Sequence, residues 1–140
     1  MAEIRKFDFS KTYEEVEIAG EVYQIEFNDE SMQRYLSNID EFHSESKRLN
    51  AIDSSKLSSK EQLEVFAEIQ ESVKDMVETI IGQDTYTPLY EKSGQSVMGM
   101  MDLAIYLADK IGERNKKDQA DRKKKYVTKK KKNVPANKNS

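Results

Sequence analysis

The stretch SSKEQLEVFAEIQESVKDMVETIIG, from Ser58 to Gly82, decides the fold class. Ser58 with Glu61 three positions on forms a capping box: the hydroxyl accepts from the backbone N–H near Glu61 while the carboxylate reaches back. Leu63, Phe66, Ile69, Val73, Met76, Val77, Ile80 and Ile81 then recur at three- and four-residue intervals, which places them on one face of a helix. Gly82 stands where a left-handed C-terminal cap is needed. The stretch therefore predicts an amphipathic helix whose apolar stripe, including Phe66 and Ile69, lies in a core supplied by other elements.

Working upstream, residues 50 to 58 read as a polar linker. Before it Met32, Tyr35, Leu36, Ile39, Phe42, His43 and Leu49 keep a helical period, predicting a helix over 29–49 that opens after Asn28 and Asp29. Further back the period shortens to two. Val16 and Ile18 alternate with Glu15 and Glu17, and after Ala19-Gly20 the set Tyr23, Ile25, Phe27 alternates with Val22, Gln24 and Glu26. A β-hairpin over 13–18 and 21–27 follows, and it must rest on the helices because an isolated hairpin is marginal in water. Phe7 and Phe9 sit in a lead-in expected to pack one ring on the body.

Downstream, Thr87-Pro88 reads as an N-cap and first-turn proline of a short helix through Leu89 and Tyr90, broken at Ser93-Gly94. A long helix is predicted from 95 to at least 111. On it Val97, Met101, Ala104, Ala108 and Ile111 form a stripe for burial, whereas Met98 and Ile105 lie together and displaced from it. Methionine suits both irregular cores and adaptable interfaces. Met98, Met101 and Ile105 are therefore the candidate partner-binding residues, with Gly99 expected to allow close backbone approach. The fold class is mainly α with an N-terminal β-hairpin: a small helical bundle packed on two strands.

Charge divides the chain of 140 residues. Residues 112–140 hold 12 Lys/Arg against 3 acids, leaving 11 basic and 23 acidic residues in 1–111. A folded domain over 1–112 is expected to be followed by a basic, largely disordered tail over 113–140, dispensable for folding because few apolar side chains remain to bury. Its basic residues are Arg122, Lys123, Lys124 and Lys125, then Lys129, Lys130, Lys131 and Lys132. These runs would suit nucleic-acid phosphate, but Tyr126 alone interleaves them and an acidic body repels a polyanion, so nucleic acid is the lesser reading.

Catalysis has thin support. With no cysteine, one histidine and no tryptophan, thiolate chemistry and Cys-ligated metals are excluded. His43 shares no helical face with Glu41 or Glu45 and reads as a half-buried helical residue. No Gly-rich phosphate loop or nucleophile elbow occurs. No cofactor, metal or small-molecule substrate is expected, and no segment reaches the roughly 18 apolar residues of a membrane span. A cytoplasmic, non-enzymatic interaction protein is the reading of the residues.

The hairpin from Phe7 to Phe27, the helix with Met32-Gln33-Arg34-Tyr35-Leu36, and Tyr90-Glu91-Lys92-Ser93-Gly94-Gln95-Ser96 before a long helix resemble tail assembly chaperones of long-tailed bacteriophages and prophages of Gram-positive bacteria, in their short form. The likeness spans residues 7–115 and rests on element order and local flavour. It implies a protein of the bacterial host cytoplasm, not of the mature virion, that binds the tape measure protein and assists tail tube protein assembly. Self-association stays open. The family's longer, frameshifted form would fit A-rich lysine codons at 123–125 and 129–132.

Overall fold

The computed structural model describes residues 3–133, with the backbone alone from 126 onward. Strands β1 (Tyr13–Ile18) and β2 (Glu21–Glu26) precede α1 (Asp29–Asn50), a single 3-10 turn (Ser54–Lys56), α2 (Ser59–Ile81), α3 (Tyr86–Lys92) and α4 (Val97–Asn133). The mainly helical bundle with an N-terminal hairpin is therefore the architecture.

The strands pair antiparallel, Tyr13 opposite Glu26 through Ile18 opposite Glu21. Ala19 and Gly20 both take positive φ, 51° and 86°, the requirement of a two-residue hairpin turn matched to strand twist. Alternation follows the sequence: Val16, Ile25 and Phe27 are buried while Glu15, Glu17, Val22 and Gln24 face out. Beneath them α1 and α2 run antiparallel, since Tyr35 near the start of α1 donates to the Ile80 carbonyl while Arg48 near its end pairs with Glu68. The core joins Ile25, Tyr35, Val73, Met76, Val77, Met100, Ala104, Leu107 and Ile111. Burial pushes the Tyr35 phenol above its ordinary range.

The capping box forms as predicted: the Glu61 N–H donates to the Ser58 hydroxyl at 3.2 Å, and the Ser58 N–H to the Glu61 carboxylate at 3.0 Å. Gly82 has φ 117° and ψ 155°, so the cap needs a positive φ but is not the left-handed helical one expected. The stripe is only partly buried, which corrects the expected core. Phe66 is 49% exposed and Leu63 70%. The pairing of Arg48 with Glu68 sets α1 to end near the level of Phe66, so the first turns of α2 extend beyond their cover.

Thr87 is not a cap. Thr85 precedes the first residue of α3, Thr87 and Pro88 lie inside its first turn, and the Tyr86 N–H donates to the Glu78 carboxylate at 3.2 Å. Proline is tolerated there because first-turn N–H groups lack helical partners. α4 starts at Val97, two residues later than expected, with the Ser96 hydroxyl accepting from Gly99 N–H at 3.0 Å. Phe7 and Phe9 also depart from expectation. They pack on each other, ring centroids 5.0 Å apart, and stay 78% and 90% exposed.

The helix predicted to reach at least residue 111 runs past Gly112. α4 continues as helix to Asn133, through good helix formers that carry opposite charges four apart, as Arg114 with Asp118. Arg114 donates to Glu14 at 2.6 Å and to the Lys11 carbonyl at 3.4 Å, with its guanidinium 4.5 Å from the Phe27 ring centroid. Burial works against its charge, but Glu14 and Asp118 outweigh that and leave it more basic than usual. The sequence signal was Glu14 itself, a carboxylate at an inward strand position. The part of the expected disordered tail after Asn133 lies outside the described residues.

Truncation after Gly112 is therefore expected to lower the thermal midpoint by a few degrees. One cation–π contact and a half-exposed ion pair contribute roughly 1 kcal/mol together, and about 1 kcal/mol moves a domain of this size by that much. Truncation after Asp118, which keeps Arg114 and its partners, should leave the midpoint unchanged. Equal midpoints for both shortened chains in calorimetry would show that Arg114 does not secure the hairpin.

Candidate functional site: an apolar groove beside the methionine-bearing helix

α4 buries Val97, Met100, Ala104, Leu107 and Ile111. This stripe is rotated from the expected one: Met100 and Leu107 replace Met101 and Ala108, which lie half-buried at its margin. The rotation leaves Met98 67% and Ile105 46% exposed, side by side one heptad apart. Both line an open groove of about 510 Å³ with Met101, Phe42, Leu49 and Ile69. All three candidate residues are thus brought together, Met98 and Ile105 on the open side and Met101 against the core.

Sequence reasoning missed that the opposite wall comes from the last turns of α1, through Leu49, and from Ile69 of α2. Phe66 continues the line of Ile69 at a three-residue step and extends the apolar surface along α2. Gly99 faces the turn that precedes α4. A Cβ there would make ordinary contacts within the chain, 3.5 Å from the Ser93 and Ser96 side chains.

His43 lies on the groove rim, exposed and not half-buried, its ring centroid 6.3 Å from that of Phe42. Among the described residues no three His, Asp or Glu side chains are grouped so as to hold a metal ion. His43→Gln is expected to change stability by less than about 0.5 kcal/mol, as for surface substitutions generally. A larger loss in denaturant melts would reveal a partner that the exposed ring does not show.

A second, acidic groove opens on the other side of α1. Asp40, Glu41, Glu45, Glu68, Glu71 and Asp75 line it, and it shares Phe42 and Ser72 with the apolar groove. Burial pushes the Asp75 carboxyl above its ordinary range, with Glu71 adding to the rise. Arg48 bonds Glu45 and Glu68 at one end.

The basic residues Arg122, Lys123, Lys124 and Lys125 are exposed along α4 beyond the body, and Lys129, Lys130, Lys131 and Lys132 fall in its last turns. No described helix is long and apolar enough to cross a membrane. Comparison with known proteins finds no matching family model, no matching curated protein and no matching solved structure.

Proposed function

We propose that the chain is a non-catalytic tail assembly chaperone of a long-tailed phage or prophage, acting in the host cytoplasm by binding the tape measure protein and assisting tail tube assembly. The observation that supports this reading is the groove. A helical client presents apolar anchors at three- and four-residue steps, and an open trough walled by Met98, Met101, Leu49 and Ile69 offers an adaptable apolar bed for them. The acidic body, with 23 acids against 11 bases in 1–111, disfavours indiscriminate aggregation of the loaded chaperone. Co-expression with a tape measure protein should raise that protein's soluble fraction and co-purify it. An insoluble client with no bound chaperone would sink the reading.

The continuation of α4 as an exposed basic helix favours a second reading, a nucleic-acid-binding or regulatory protein that contacts phosphate. Its affinity for DNA or RNA would fall steeply with salt and vanish on deleting 116–140.

A further inference from the structure

We infer that the helical extension of α4, residues 116–125, docks along the acidic groove between α1 and α2 of a second copy of this chain. The extension is helix carried past the body: Lys116, Lys117, Arg122, Lys123, Lys124 and Lys125 are all exposed, and residues 116–125 hold six bases against two acids. The groove is its electrostatic complement. Asp40, Glu41 and Glu45 line it from α1 and Glu68, Glu71 and Asp75 from α2, and Arg48 matches Glu45 and Glu68 at one end. Asp75 shows the strain among the others: burial raises its carboxyl above the ordinary range, with Glu71, Glu41 and Glu78 adding to the rise and Lys74 opposing it.

Shape agrees with charge. Between the acids the groove is lined by Ser37, Asn38, Ser44 and Ser72, short polar side chains that leave room for long ones. A ten-residue helix is about 15 Å long, enough to pass along both acidic walls, and four consecutive bases from Arg122 to Lys125 sweep most of its circumference, so both walls meet a cation at once. A polyanion is the weaker partner for the extension, since residues 1–111 of the same chain carry 23 acids against 11 bases.

Helix geometry denies the extension its own groove. α4 runs back along α1: Met98 shares the apolar groove with Leu49 from the last turn of α1, whereas Arg114 lies over Phe27, two residues before α1 begins. The near end of the acidic groove is Asp40 and Asp75, each five residues from the contact of Tyr35 with Ile80. From Asp29 to Asp40 α1 rises by about 17 Å, and Lys116 to Lys125 lie about 3 to 17 Å past Arg114 in the opposite direction. Even Lys116 is thus farther from Asp40 than the two side chains can bridge end to end, and α4 stays helical to Asn133 without turning back. A second copy supplies the groove. Because extension and groove lie on opposite sides of the Arg114 level, two antiparallel copies can each fill the other's groove and close a twofold dimer.

This contact needs no client and lies away from the apolar groove, so it stands or falls separately from the chaperone reading. In sedimentation the full chain should form a dimer at about 50 mM salt and dissociate at about 1 M, where exposed charges are screened beyond about 3 Å. Lys123→Glu with Lys124→Glu and Lys125→Glu reverses the extension, and Glu41→Lys with Glu71→Lys reverses the groove, both through exposed side chains. Each set should raise the dimer dissociation constant at least about tenfold without loss of helical signal. Mixing the two reversed chains should restore a dimer, since each then carries the complement of the other. A parent chain that is monomeric at low salt, including one that associates only on added DNA, would overturn the inference. So would a dimer that persists at high salt or through either reversal, or folded reversed chains that fail to recombine.

Discussion

Leu107→Ala is expected to lower the unfolding free energy by about 2 to 5 kcal/mol, a substantial share of the roughly 5 to 15 kcal/mol that holds a domain folded. Leu107 is fully buried on α4, among core residues drawn from the hairpin and from α1, α2 and α3. Removing its branched end leaves a void that close-packed neighbours fill only in part. Phe66→Ala supplies the contrast. Half-exposed at the uncovered start of α2, Phe66 should cost well under half as much, although its side chain is larger. Paired denaturant melts decide the point. Equal losses would place Phe66 in the core, as its helical spacing alone suggests, and a small loss at Leu107 would mean that α4 packs by another face.

That contrast marks what the sequence could carry. Period and caps located the start of each strand and α-helix to within a few residues, because a capping box such as Ser58–Glu61 and a two-residue turn such as Ala19-Gly20 are local chemistry. The identity of the covering partner is not local. Leu63 and Phe66 obey the same period as Val73 and Val77, and only the end of α1 near Phe66 separates exposed from buried. The same limit applied to α4. Nearly every side of it is apolar, so periodicity could not choose between Met100 and Met101 as core. It still placed Met98 and Ile105 together off the stripe, and the structure leaves both open. Arg114 was hidden for another reason. A lone arginine in a basic run looks solvated until strand register brings Glu14 and Phe27 beneath it.

On the proposed chaperone reading, Met98→Lys combined with Ile105→Lys is expected to abolish most capture of a co-expressed tape measure protein while leaving the helical circular-dichroism signal intact. Met98 is largely and Ile105 about half open to solvent on the groove, so each lysine can keep its ammonium in water and the substitutions should be nearly neutral for the fold. Binding is a different matter. A docked apolar helix would bury these two side chains, each contributing about 1.5 to 3 kcal/mol, and would have to strip water from two charges instead. Loss of even about 3 kcal/mol weakens affinity roughly a hundredfold. Unfolding of the lysine variant would put Met98 and Ile105 in the core, and undiminished capture by a folded lysine variant would remove this face from the proposed mechanism.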